Sequence, residues 1–556
     1  MKSLFQHTLA LLEQQERKRF VLLSVLDIII SLLDIASLAL LVWIIRFYIS
    51  PGSHTAWSAL PAWMQQPGAA GLIAVFFFLF TAKNGLAWLI SRAHYHFISE
   101  VAIRISRQNL VACQQAPFTE YIETDSSVQL RKICFQPFEF TQYMLTGLVQ
   151  LITQSSLVLL TVLAIILFNA KIFFLLLLLL FPPAVLVFGM IRKRMQHIRE
   201  RIRNDNETSF RYTMEALKGY AESNIYGKND FFLQRFLTAR RSFSEALFYS
   251  MALQGLPGRI IEIFAILGLF ILAGIASWGG AGQQLFVTVS VFMAAAYKII
   301  PGIVKIINTL GQMKAYAPSL TGLQVSTTKR AAADGQPVSL KISRVQAAGL
   351  GFAYAGRPIL QNLNFDLQPG DFAGLTGHSG IGKTTLLNMI LGFLSPAAGS
   401  VRINGETITP ENAAFFWPRM AYVKQQGFLL NDSFIKNITL SDNAPDTEKL
   451  QQALQGSGME EWLRQVPGGA AGSVAENGKN ISGGQQQRVA IARALYQDAD
   501  LYILDEPFNE LDENSAAKLV QHFKSLAAAG KIVILVSHDP ACLQFCNKII
   551  KPDALA

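Results

Sequence analysis

The spacing of apolar residues divides the chain into two unlike parts. Over the first 317 positions the apolar stretches are long. Six of them, near 21–48, 71–92, 145–168, 171–191, 258–278 and 285–311, hold at least about 20 largely apolar residues, enough to cross a bilayer as a helix. Residues Leu4 to Leu12 instead set apolar side chains among polar ones at helical spacing, and Arg17-Lys18-Arg19 stands directly before the first long run. That pattern predicts an interfacial helix with a cytoplasmic anchor. From Pro318 to Pro337 the long period is lost among Ser, Thr, Gly and Ala, as in a linker. Beyond it, β-branched runs alternate with helical patterns, which predicts a parallel sheet with crossover helices. The expected division is 1–317, a membrane α-helical bundle with cytoplasmic extensions; 318–337, a linker; and 338–556, a cytoplasmic α/β domain.

Composition supports a membrane protein with a soluble part: of 556 residues 51% are hydrophobic and only 15% charged, with mean hydropathy +0.31. The net charge of +10 carries no implication of nucleic acid, because many basic residues flank the apolar spans. Lys and Arg are absent from the loop 50–70 and from Gly279 to Gln284, whereas Arg104, Arg107, Arg131 and Lys132, then Arg192, Lys193, Arg194, Arg199, Arg201 and Arg203, crowd the two long connections. The positive-inside rule puts those connections, the N-terminus and the last third of the chain in the cytoplasm. Their helical pattern predicts that helices two to five project beyond the membrane, turning at Phe118 to Ser127 and at Lys218 to Ser223. No cleavable signal is expected, since no short apolar region with a small-residue cleavage site follows the first stretch. Cys113, Cys134, Cys542 and Cys546 all fall in segments read as cytosolic, so free, packed thiols are expected.

The chemistry begins at Gly377-His378-Ser379-Gly380-Ile381-Gly382-Lys383-Thr384-Thr385, after the strand-like Phe372 to Leu375 and before an apolar run. It fits G-x-x-x-x-G-K-S/T, in which glycines let backbone amides close around phosphate oxygens at a helix N-terminus. Lys383 would reach the β- and γ-phosphates of a nucleoside triphosphate, and the Thr384 hydroxyl would sit on Mg²⁺. Downstream, the apolar strand Leu501 to Leu504 ends in Asp505 and Glu506. That order brings Asp505 to the metal and Glu506 to the attacking water as general base.

Between these elements lies Ile481-Ser482-Gly483-Gly484-Gln485, followed by Gln486-Gln487-Arg488. It resembles the signature of ATP-binding cassette (ABC) proteins, with Ile481 where the family usually has Leu. The resemblance implies further roles. Tyr354 corresponds to the aromatic residue that stacks on adenine, and Gln425 to the glutamine joining the metal site to the transmembrane contact, with Lys424 where Pro is common. His538 matches the γ-phosphate histidine. Asp512 matches the loop that crosses between cassettes, although a small residue is more usual than Glu510. Glu476-Asn477-Gly478 is similar to an exporter-type element that senses the opposite subunit.

Six spans followed by one cassette resemble an exporter-type half-transporter. Such a chain acts as a dimer, the Gly377 loop of one cassette and the Ser482 signature of the other closing over each ATP. No motif is degraded, which favours a homodimer over a heterodimer. The implied function is ATP-driven export or flipping of a lipid-linked or amphiphilic substrate across a bacterial inner membrane by alternating access. A peptide or small-molecule exporter and an ATP-gated channel or regulatory protein are the alternatives. Asp27, Asp34, Lys83, Glu262 and Lys298 lie within apolar spans, where charge is costly; they pair with one another or contact substrate. Lys298 and Lys305 are seven apart on one helical face, as expected for holding an anionic head group. The stretches Pro257 to Glu262 and Tyr297 to Pro301 are similar to the corresponding helices of bacterial lipid-linked oligosaccharide flippases.

Overall fold

The predicted spans fall within long helices, three of which run well past them. The computed structural model describes residues 2–49, 70–168, 170–278, 282–317, 341–354, 357–378, 380–475 and 478–552. Loop residues 50–69, Asn169, residues 279–281 and the predicted linker 318–337 lie outside these, as do Ser379, Glu476 and Asn477.

The interfacial helix is α1 (Lys2–Ala10), and the first spans lie in α2 (Gln14–Ile49) and α3 (Ala70–Gln115). Two short helices follow, α4 (Phe118–Glu123) and α5 (Ser126–Leu130), then α6 (Gln136–Glu139) between two π-helical turns, and α7 (Thr146–Phe168). Next come α8 (Ala170–Lys218), α9 (Tyr220–Ile225), α10 (Asn229–Trp278) and α11 (Gly282–Tyr316). The 46, 49 and 50 residues of α3, α8 and α10 correspond to roughly 70–75 Å each. A bilayer core takes up only about 30 Å of that, so each helix has a long polar extension. Among the described residues, four helical stretches, Gln14–Leu41, Gly71–Gln115, Ser126–Leu167 and Asn229–Gly268, are long and apolar enough to cross a membrane. The other two predicted spans fall in α8 and α11. Phe77, Phe78, Trp88, Leu167 and Phe270 all point outward and exposed. Large apolar groups in that number need an apolar solvent, and the first part of the chain is an integral membrane domain.

Inside this bundle the costly charges have found one another. Helices α2 and α3 run antiparallel, and as the position on α2 rises from 16 to 34 its partner on α3 falls from 104 to 83. Arg104 Nε donates to Glu16 at 2.7 Å, and Arg19 pairs with Glu100 at 3.1 Å. His94 Nε2 lies 2.8 Å from Asp27 Oδ2, at ion-pair distance but off the hydrogen-bond angle, and the Thr153 hydroxyl of α7 donates to the same oxygen at 3.2 Å. Deepest is Asp34, which pairs with Lys83 and, at 3.6 Å, with Lys298 of α11. Lys83 is buried and also stands 4.4 Å from the centre of the Phe80 ring. Lys298 therefore has a protein partner, a choice the sequence left open, whereas the side chains of Glu262 and Lys305 are exposed.

The second part carries two sheets. Strands β1 (Val345–Tyr354) and β2 (Arg357–Leu367) form a hairpin, and with β4 (Ala398–Ile403) and β5 (Glu406–Thr407) they make an antiparallel sheet in the order β2-β1-β4-β5. The sequence predicts only the parallel sheet. A connection as short as that between β1 and β2 cannot house a crossover helix, and the chain must turn back. The parallel sheet has the order β6-β7-β8-β3-β9, from β3 (Phe372–Leu375), β6 (Met420–Val423), β7 (Leu501–Asp505), β8 (Ile532–Val536) and β9 (Lys548–Ile550). Every residue of β3, β7 and β8 is buried, as expected of strands covered on both faces. The helices between them are α12 (Lys383–Ile390), α13 (Phe434–Thr439), α14 (Thr447–Gly456), α15 (Glu460–Leu463), α16 (Gly483–Tyr496), α17 (Glu513–Ala528) and α18 (Pro540–Leu543).

The chain forms two compact units, and one short segment from the first half of the chain groups with the second. The first comprises Met1–Gln115 with Thr124–Thr327, the second Ala116–Glu123 with Thr328–Ala556. Helix α4, expected as a turn of the membrane domain, belongs to the second unit. Its Phe118 stacks on Phe393 with ring centres 5.0 Å apart, and Phe393 in turn meets Trp417.

Candidate nucleotide site

Strands β7, β8 and β3 are neighbours in the parallel sheet, so their carboxyl ends deliver three predicted motifs to one edge. From β3 the chain enters the glycine-rich loop and then α12. Gly382 caps that helix with φ +97°, and a Cβ there would lie 2.6 Å from Ile359 Cγ2. Only glycine fits both demands. Gly380, with φ +85°, has open space where a Cβ would stand, so no side chain crowds the loop there. The buried Lys383 ammonium donates to Gly377 O at 2.7 Å and lies 3.4 Å from His378 O. Burial pulls its pKa below the ordinary lysine range, and the charges of Glu506 and Asp505 oppose the shift. Thr384 is exposed on the first turn of α12, Thr385 is half-buried and Ile381 is buried beneath the loop.

β7 ends at Asp505, whose buried carboxyl is pushed above the usual range, first by desolvation and then by Glu506 beside it. The Tyr422 hydroxyl lies 3.5 Å from Asp505 Oδ2. Glu506 itself takes a left-handed φ of +49°, a strained conformation for a non-glycine residue. Gln425 Nε2 and Asn509 Nδ2 donate to its Oε2 at 2.9 and 2.7 Å. His538, just past β8, places Nε2 2.6 Å from Lys383 Nζ and 3.2 Å from Glu506 Oε1. Which of the two Nε2 bonds forms follows the tautomer: accepting from the Lys383 ammonium puts the ring proton on Nδ1, and donating to Glu506 puts it on Nε2. Lys383, Gln425, Glu506 and His538 thus form one connected group with Asp505 behind them.

The signature residues form a second group. Ser482 caps α16: its Oγ accepts from Gln485 N at 3.3 Å, and Gln485 Oε1 accepts from Ser482 N at 2.8 Å, a reciprocal capping box. Gly483 and Gly484 occupy the first helical turn. Asp512 caps α17 by accepting from Ser515 N at 3.0 Å, and these hydrogen bonds lower its pKa. Among the described residues no hydrogen bond or ion pair joins Ser482, Gln485 or Asp512 to the first group. Tyr354 stands apart at the end of β1, half exposed, with its ring edge-on to Phe352. Sequence reading passed over Asn509 and Tyr422 as partners of the two acids. The signal available was position alone, three residues after Glu506 and three before Gln425.

The thiols of Cys542 and Cys546 are raised to about 12 and about 11, chiefly by burial, which makes them packing groups rather than nucleophiles.

Residues 360–509 match the ABC transporter domain family. A probable ABC transporter ATP-binding/permease protein of Haemophilus influenzae is 33% identical over 214 residues, 38% of this chain and 39% of that protein. The match therefore spans well under two thirds of that relative. An ATP-dependent lipid A-core flippase of Alkalilimnicola ehrlichii is 25% identical over 551 residues, covering 96% of this chain and 90% of the flippase. A solved bacterial Atm1-family ABC exporter with ATP bound superposes with a TM-score of 0.74 at 19% identity, over 97% of this chain and 94% of that one. Residues 360–509 thus carry an ABC transporter domain, and the chain as a whole shares the fold of a solved ABC exporter.

Proposed function

We propose that two copies of this chain work as a homodimer in a bacterial cytoplasmic membrane, cassettes on the cytoplasmic side, and move an anionic lipid-linked amphiphile outward. The observation that carries the substrate class is the Lys83–Asp34–Lys298 cluster. Two ammonium groups share one carboxylate within the spans, which leaves a net positive charge where unmatched charge is costly. A phosphate on a head group is the natural counter-charge. The lipid A-core flippase named among the relatives points to the same chemistry.

At the nucleotide site, the open space at Gly380 and the Lys383 ammonium fit a polyphosphate, and the half-exposed Tyr354 offers a face to adenine. The metal would be Mg²⁺, an ion that keeps water and phosphate in its shell and needs few protein ligands. Asp505, Thr384 and Gln425 would hold it, and it would neutralise charge on the phosphates. Glu506, turned inward by its backbone and fixed through Gln425 and Asn509, orients the attacking water and takes its proton. His538 holds the terminal phosphate. The Ser482 to Gln485 helix end and Asp512 of the second copy complete the enclosure.

The test is ATPase of the full chain in nanodiscs, titrated with a phosphorylated glycolipid and with the same lipid dephosphorylated. Stimulation by the phosphorylated form alone is expected; equal stimulation by both would remove the anionic head group from the reading.

A further inference from the structure

The second unit holds a cavity of about 340 Å³ between α13, α14 and the C-terminal end of α16, and none of its lining residues belongs to the nucleotide site. That volume takes a small organic molecule. Ile438 and Leu440 give it an apolar wall, and Lys449, Arg493 and Tyr496 give it hydrogen-bond donors. Arg493 decides what it can hold. Its Nε donates to Asn437 O at 2.8 Å and its Nη2 to Phe428 O at 2.9 Å, so one guanidinium clamps α13 to the segment that follows Gln425. Neither acceptor carries a charge. Among the described residues Arg493 has no carboxylate partner, and its Nη1 has no acceptor. Burial pulls its pKa below the ordinary arginine range. A guanidinium drawn out of water without a counter-charge is costly, and an anion would offset that cost. The Tyr496 hydroxyl accepts from Asp446 N at 3.2 Å, which leaves its own proton for a ligand. Asp446 is the one carboxylate in the lining, and its Oδ1 is engaged by the amides of Glu448 and Lys449 at 3.1 and 3.2 Å. Two cations against one carboxylate leave the cavity positive.

We infer that this cavity is a second ligand site, for a small phosphate monoester with an apolar body. The phosphate meets Arg493 Nη1, the Lys449 ammonium and the Tyr496 hydroxyl, and the body packs on Ile438 and Leu440. Three separate donors suit the three terminal oxygens of a phosphate better than the two of a carboxylate, and charge-assisted bonds to a guanidinium and an ammonium are the strong kind.

The experiment uses the full chain in nanodiscs with a saturating non-hydrolysable ATP analogue, so that added phosphate cannot enter the nucleotide site. Thermal unfolding is followed while phenyl phosphate, and separately benzoate, is titrated. Phenyl phosphate is expected to raise the Tm with an apparent Kd on the order of 1 mM. Lys449→Gln and Tyr496→Phe, each read against its own ligand-free Tm, should weaken that binding about tenfold, and Lys449→Arg, which keeps the charge, should stay within about twofold. No stabilisation below about 20 mM phenyl phosphate, or equal stabilisation of the parent chain, Lys449→Gln and Tyr496→Phe, would overturn the inference. Benzoate binding as tightly as phenyl phosphate would overturn the assignment to a phosphate.

Discussion

Asn509 donates to Glu506 at 2.7 Å, on the same carboxylate oxygen that Gln425 reaches at 2.9 Å. The second oxygen is thereby left to face His538 and the water that would attack phosphate. A carboxylate oriented from two sides loses more when its own acid is removed than when one guide is. Glu506→Gln is expected to cut kcat by at least about a hundredfold, and Asn509→Ala by about tenfold with KM little changed. Steady-state ATPase of both variants checks this; an Asn509→Ala enzyme with normal kcat would remove Asn509 from the role.

Asp505 gives a prediction about stability. Its pKa is raised in the folded cassette, chiefly by burial, so the folded state binds its proton more tightly than the unfolded chain does. Stability without nucleotide or metal then rises as pH falls toward that raised pKa, and the ionised carboxylate is a cost at neutral pH. Asp505→Asn is expected to raise the Tm of the nucleotide-free protein at pH 7.5 by about 2–4 °C while abolishing ATPase. The gain should shrink at pH 5. Calorimetry at the two pH values decides, and a lowered Tm at pH 7.5 would contradict the sign.

Within the membrane, Asp34 holds two lysines, and Asp34 is the one ion-pair partner of Lys298 among the described residues. Asp34→Asn strands both ammonium groups and is expected to cost about 3 kcal/mol. Lys298→Gln leaves the Asp34–Lys83 pair intact and should cost less, yet remove most stimulation by a phosphorylated lipid. Lys305→Gln, at an exposed position, should do little to either. Thermal unfolding in detergent and stimulated ATPase separate the three; equal destabilisation by Asp34→Asn and Lys298→Gln would mean that Lys298 is only a structural partner.

Phe118 lies in a segment that packs with the cassette although the chain enters and leaves it from membrane helices. Phe118→Ala removes the ring that stacks on Phe393 while leaving the nucleotide site intact. Basal ATPase is expected to persist and substrate stimulation to fall at least about fivefold. Stimulation that survives unchanged would show that the contact transmits nothing.

What the sequence made legible was whatever its spacing encodes directly. The glycine-rich loop, the acid pair and His538 each follow a buried strand, and parallel pairing of β3, β7 and β8 brings such strand ends to one edge. The hairpin of β1 and β2 was missed although Leu360, Leu363, Phe365 and Leu367 of β2 stand among Gln361, Asn362, Asn364 and Asp366, the mixed pattern of a strand with one solvated face, whereas β7 and β8 are continuous apolar runs. Asn509 sat in plain view, but what it touches depends on the path of a turn that no periodicity describes. The partners of Lys298 and His94 were out of reach for another reason. Each pair lies dozens of residues apart, and charge alone cannot choose among Asp27, Asp34 and Glu262.

The descending series of pairs between α2 and α3 also bears on how the protein is made. Lys83 or Asp34 entering the bilayer on a lone helix carries an insertion cost of about 2.5–3.5 kcal/mol each near the centre. Presented together, the two groups cancel. The first two spans therefore favour entry into the membrane as a preformed hairpin, and the ion pairs fix its register before any later helix is synthesised. A single-residue deletion in α2 between Ser24 and Asp34 would rotate the deeper acid by about 100° and strand Lys83 during insertion. Such a variant should be lost to quality control at the membrane rather than accumulate as an inactive transporter.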